Sequence, residues 1–92
     1  MDDNLKTFIE KMAASSANRF AESIKSGCYP EFNGKNDLDS IKECYAEFVD
    51  ENDEPWWHDW EAVVDEVDDE DGAKIIFIAC FEKTVFESLL NS

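Results

Sequence analysis

Between residues 37 and 71 the chain carries sixteen carboxylates and a single basic side chain, Lys42. Unpaired carboxylates cannot be buried, so this stretch can only form elements that keep one side in water along their whole length. The flanks are different. Residues 1 to 36 hold five acids (Asp2, Asp3, Glu10, Glu22, Glu31) against five bases (Lys6, Lys11, Arg19, Lys25, Lys35), and residues 72 to 92 set Glu82 and Glu87 against Lys74 and Lys83. The formal net charge of −15 therefore belongs to the middle third. An adaptation for solubility or high salt would spread carboxylates over the whole surface, whereas here both ends are spared.

Such crowding opposes folding. Like charges four residues apart on a helix cost roughly 0.2–0.5 kcal/mol per pair. The sequence offers Asp39 with Glu43, Glu43 with Glu47, Glu47 with Glu51, Glu61 with Asp65, and Asp65 with Asp69. A feature that works against stability invites a functional explanation. The plainer alternative is a solvated face, since blocks of like charge often have no partner.

The 92 residues suit one domain, residues 1–92, with the acidic face at 37–71. Seven Phe, three Trp and two Tyr are too many for an acidic disordered tail, so the domain is expected to fold. No apolar run is long enough to span a bilayer, and Met1-Asp2-Asp3-Asn4 lacks the features of a signal peptide, which points to the cytoplasm. Cys28, Cys44 and Cys80 include no Cys-x-x-Cys pair and read as reduced, buried thiols.

Periodicity predicts an all-α fold, a small bundle of about four helices. Leu5, Phe8, Ile9, Met12, Ala13, Phe20, Ala21 and Ile24 follow the i, i+3, i+4 rhythm of a first helix over Asn4 to Ser26, with Gly27 as its C-terminal glycine. Residues 27–36 read as a loop whose Tyr29 and Phe32 fold back onto the core. Asp37 or Ser40 caps a second helix, Ser40 forming a capping box with Glu43. Leu38, Ile41, Tyr45, Phe48 and Val49 lie inside it, and Asp39, Glu43, Glu47 and Asp50 lie outside. Asp53 or Glu54 with Pro55 opens a third helix. Its stripe is Trp56, Trp60, Val63, Val64 and Val67; its outer side is Asp59, Glu61, Asp65, Glu66, Asp68 and Asp69; Glu70, Asp71 and Gly72 close it. Residues 73–81 are apolar on all sides and read as the start of a last helix. The alternative is a strand, and hence an α+β fold, which β-branched Ile75, Ile76 and Ile78 favour. The apolar surplus of this segment predicts a homodimer.

No catalytic machinery is expected. Asp68-Asp69-Glu70-Asp71-Gly72 imitates part of an EF-hand, but aligned on Gly72 the first and twelfth positions are Val67 and Ile78. His58 with the three cysteines lacks the close ligand pairs of structural zinc. No nucleophile motif or glycine-rich phosphate cradle accompanies His58, which reads as a surface residue. The acids crowd an outer face rather than a cleft. The reading is therefore no enzyme, no cofactor and no metal. Trp57, off the buried stripe, is either an aromatic anchor for a partner or flank packing.

Duplex DNA carries about one negative charge per 1.7 Å of axis. Two antiparallel helices of some 16 residues span roughly 25 Å, so sixteen carboxylates give about one charge per 1.6 Å. A basic groove shaped for phosphates would accept such rows, and the same charge repels DNA itself. In length, in charge, and in the acid blocks Asp50-Glu51-Asn52-Asp53-Glu54 and Asp65-Glu66-Val67-Asp68-Asp69-Glu70-Asp71, the chain resembles the small acidic DNA-mimic antirestriction and anti-defence proteins of tailed phages. This class includes Ocr, ArdA and Arn. The likeness is greatest to the Arn-type inhibitors of the restriction enzyme McrBC.

That resemblance implies a phage-encoded, dimeric inhibitor that occupies the DNA site of a host restriction or defence nuclease in the host cytoplasm. It carries over no residue by position. The candidate partner-binding set comes from the helix faces: Asp39, Glu43, Glu47, Asp50, Glu51, Asp53, Glu54, Asp59, Glu61, Asp65, Glu66, Asp68, Asp69, Glu70 and Asp71. The competing expectation is an acidic adaptor or regulator that binds a basic protein surface unrelated to DNA.

Overall fold

The spacing of small and apolar residues dictates the first helix, α1, which runs Asp3–Lys25 and buries Ile9, Ala13, Ala17, Phe20, Ala21 and Ile24 on one side. The computed structural model describes residues 3–51 and 54–91. Gly27 adopts φ +89 beyond the end of α1, a conformation that suits a residue without Cβ. There its N–H donates to the Ile24 carbonyl (3.1 Å) and that of Cys28 to the Ser23 carbonyl (3.0 Å), closing the helix as a Schellman motif. The following loop tightens into a 3-10 turn at Pro30–Phe32. As expected, it folds Tyr29 and Phe32 back: their rings lie 5.2 and 6.2 Å from that of Phe20.

Helix α2, Leu38–Glu51, is capped by Asp37. Its carboxylate accepts the Ser40 N–H (3.1 Å) and the Ser40 hydroxyl (2.7 Å). These bonds favour the charged form and hold Asp37 below the ordinary aspartate value. Of the two candidate caps Asp37 is the one used, and Ser40 lies within the first turn. The inner side buries Ile41, Cys44, Tyr45 and Phe48, with Val49 half-buried. Leu38, expected inside, stays 38% exposed at the first helical position.

Helix α3, Trp57–Val64, is half the expected length. After Val64 the chain turns, the Glu66 N–H donating to the Val63 carbonyl at 2.9 Å, and Val67 is tucked into the core. Glu70, Asp71 and Gly72 do not close this helix, as the sequence reading had it. They form the first turn of α4, Glu70–Leu90, whose N-cap Asp69 accepts the Gly72 N–H at 3.1 Å. The physical reason is that a helix N-terminus has unsatisfied N–H groups and a positive dipole end, so acids are favoured there and disfavoured at a C-terminus.

Residues 73–81 are helical, and no strand occurs among the described residues. Ala73, Phe77, Phe81 and Val85, four apart, are all at 0% exposure, so packing of one helical side outweighs the strand preference of the isoleucines.

The first and last helices form the most extensive pair. Contacts advance along both together, Glu10 with Cys80, Phe20 with Phe81 and Lys25 with Ser88, so α1 and α4 run parallel. Helix α2 covers them through Tyr45, packed against Phe81 and Phe86, and through Phe48, packed against Phe20. Trp56 and Trp60 flank Phe77 at 6.0 and 5.7 Å. The result, among the described residues, is a small all-α bundle of four helices around one continuous core. None of its helices is long and apolar enough to cross a membrane, among the described residues.

Candidate acidic interface

The outer side of α2 carries the acids that form a continuous helical row. Asp39, Glu43, Glu47, Asp50 and Glu51 are all exposed on one uninterrupted helix. At 100° per residue, Asp39, Glu43, Glu47 and Asp50 fall within an arc of about 80°. From Asp39 to Glu51 the helix rises about 18 Å, giving on average one charge per about 4.5 Å, wider than the 3.4 Å rise per phosphate along one strand. The last turn contains no basic residue, so Asp50 and Glu51 face the negative end of the helix dipole uncompensated.

The second row assumed in the sequence reading does not form as a helix. Glu61 lies on α3, Asp65 is its C-cap, Glu66 and Asp68 lie in the connection, and Asp69, Glu70 and Asp71 begin α4. All seven are exposed, as is Glu54 before α3. The estimate of one charge per 1.6 Å, which required two 16-residue rows, is thereby replaced by one helical row and a cluster carried on a turn and a cap. The Asp65 and Asp69 pair is separated by that turn. Asp53 lies outside the described residues.

Asp59 must be removed from the free set. Its carboxylate accepts from the Arg19 guanidinium at 2.5 Å, and its side chain is 21% exposed. It ties α3 to α1 instead of facing a partner. Nothing in the local sequence signals this pair, because forty positions separate its members.

Trp57 is 44% exposed at the first position of α3, its ring 6.5 Å from that of buried Trp56, so it stands at the surface beside the acids. His58 is exposed. A cavity of about 430 Å³ next to it is lined by Ser16, Arg19, Ser23, Glu54 and Asp59 among others, and its charges include the mutually neutralising Arg19 and Asp59.

The thiols correct one expectation. Cys44 is buried and donates to the Glu31 carbonyl, burial pushing its pKa up, and Cys80 donates to the Glu10 carbonyl, but Cys28 is exposed. Burial and the neighbouring Glu82 likewise push the pKa of the Tyr45 hydroxyl up. No group of three or more His, Cys, Asp or Glu side chains is placed to hold a metal ion, among the described residues. No protein-family model, curated protein or solved structure matches the chain.

Proposed function

We propose that this chain is an inhibitor that offers a nucleic-acid-binding protein carboxylates in place of backbone phosphates, occupying the site where DNA would lie. The observation that carries this reading is the α2 row: Asp39, Glu43, Glu47, Asp50 and Glu51 exposed along a helix whose other side is fixed by Ile41, Tyr45 and Phe48. A row anchored in this way presents charge at a set pitch, which costs a cationic groove little ordering entropy on binding. The target class that fits is a restriction or defence nuclease of the McrBC type, whose DNA site is basic. Glu54, Glu61, Asp65, Glu66, Asp68, Asp69, Glu70 and Asp71 supply further exposed charge outside the row, and Trp57 offers an exposed aromatic ring.

The test is inhibition of DNA cleavage by such a nuclease, followed as a function of salt. Inhibition weakens steeply as salt rises, because paired charges are screened. The triple substitution Glu43→Gln, Glu47→Gln, Asp50→Asn reduces it far more than Glu10→Gln with Glu22→Gln, which removes charge from exposed sites on α1. Equal effects from the two sets would end the proposal. Duplex DNA displaces the chain from its target; a complex indifferent to DNA identifies the adaptor reading instead.

A further inference from the structure

We propose that the cavity between α1, the Tyr29 loop and the start of α3 receives one arginine side chain of the protein that this chain binds. The basic character of that partner rests on the proposed function; the cavity itself does not. At about 430 Å³ it falls in the range of sites that hold a small organic group, roughly 300–1,000 Å³. Three rings form its floor. Those of Phe20, Tyr29 and Phe48 stand 5.2 to 5.5 Å apart, centre to centre. Phe20 and Phe48 are buried, whereas Tyr29 is half-buried and is the ring that an occupant can reach.

Charge selects a cation. At the rim Arg19 and Asp59 neutralise each other, and with His58 neutral Glu54 is left over, exposed and paired with no base among the described residues. Phe48 lies in the last turn of α2, the negative end of that helix dipole, and this turn contains no basic residue. Residues 37–71 add sixteen acids against Lys42. An anion would meet all three fields with the wrong sign.

Geometry selects guanidinium over ammonium. A planar, weakly hydrated guanidinium stacks on an aromatic ring while its fork donates to carboxylates, and a compact, strongly hydrated ammonium does neither as well. The chain already seats one such group at this rim, since the Arg19 guanidinium donates to Asp59 Oδ1 at 2.5 Å. With Arg19 left in place, the incoming guanidinium lies on Tyr29 and donates to Glu54. Glu54 is then an anchor separate from the α2 row, because none of Asp39, Glu43, Glu47, Asp50 and Glu51 lines the cavity. An arginine carried on a surface that already engages the row arrives at high effective concentration, which a free guanidino compound lacks.

Titration of the isotope-labelled chain with N-acetylarginine amide, followed by NMR, tests the cavity alone. Amide shifts centre on Ser23, Tyr29 and His58, and N-acetyllysine amide, of equal charge, binds about fivefold more weakly. Glu54→Gln, at an exposed position, weakens arginine binding about tenfold, as loss of one charge-assisted hydrogen bond requires. Tyr29→Leu, which keeps the floor apolar, weakens it too, and Glu43→Gln with Glu47→Gln leaves the shifts centred on the cavity. Equal binding of the two amides, or shifts along α2 with none at the cavity, overturns the site. Inhibition of the target nuclease tests the source of the arginine. Glu54→Gln weakens inhibition by a similar factor; inhibition unchanged in this variant identifies a free guanidino compound as the occupant and overturns the proposal. The titration requires no target, so failure of the cavity and failure of the inhibitor reading are told apart.

Discussion

Replacing Glu43 and Glu47 by glutamine should make the protein more stable while making it a worse inhibitor. On α2, Asp39, Glu43, Glu47 and Glu51 stand four apart, all exposed, on a helix continuous from Leu38 to Glu51. These three like-charge pairs each oppose the helix by roughly 0.2–0.5 kcal/mol. Glu43 takes part in two of them and Glu47 in two, sharing the middle one, so the double substitution removes all three. Glutamine has nearly the helix propensity of glutamate. The gain is therefore about 1 kcal/mol, which in a domain of this size raises Tm by roughly 4–8 °C. The favourable Asp39 and Lys42 neighbours are left in place. Thermal unfolding followed by circular dichroism at low ionic strength measures the shift. In about 1 M salt, where the Debye length falls to roughly 3 Å, the gain should disappear. A variant no more stable than wild type at low salt, or a gain that persists undiminished in high salt, would refute the claim that the row is held together against its own repulsion.

Removing charge at Asp69 should act in the opposite sense, because Asp69→Ala deletes the N-cap of α4 and costs about 1 kcal/mol in a urea titration. Gly72→Ala should give none of the usual helix benefit in wild type, since the added Cβ would lie 2.4 Å from the Asp69 carboxylate; in an Asp69→Ala background it should recover about 1 kcal/mol, and additivity of the two changes would refute the coupling. Asp37 is held below its ordinary value of 3.8, so its cap stabilises the fold above that value and is lost as pH falls through the lower folded-state pKa. The stability difference between wild type and Asp37→Asn should accordingly shrink on acidification below pH 3.8, and a difference constant with pH would exclude that role. Thiol labelling of the native protein should modify Cys28 first and Cys44 last, read by mass spectrometry of digests, because Cys28 is exposed and Cys44 is buried with a raised pKa.

What the sequence disclosed was local. The rhythm of α1, the glycine that ends it and the two-sided character of α2 each depend on residues three or four apart, and the structure follows them except at Phe8 and Leu38, which stay exposed. The end of α3 was not legible in this way. Val63, Val64 and Val67 fit a continued helix as well as they fit a turn, and only the burial of Val67 together with the Asp69 bond to Gly72 settles the break. A run of acids gives no sign of which member closes one helix and which opens the next. The loss of Asp59 from the acidic surface is of the same kind, decided by an arginine on another helix. For residues 73–81 the sequence displayed an apolar excess, but only the packing of α1 and α2 determines which side of α4 is covered and leaves Ile75 in solvent.

The parallel contact of α1 with α4 has a consequence for how the chain is made. Residues 26–69 intervene between these two helices, so the most extensive helix pair of the core joins segments far apart in sequence. Such high sequence separation slows folding, and on the ribosome it means that the alanine-lined stripe of α1 waits for its α4 cover until α4 has been translated. Interruption of the chain before α4 would leave the α4-facing side of α1 uncovered, a substrate for proteases.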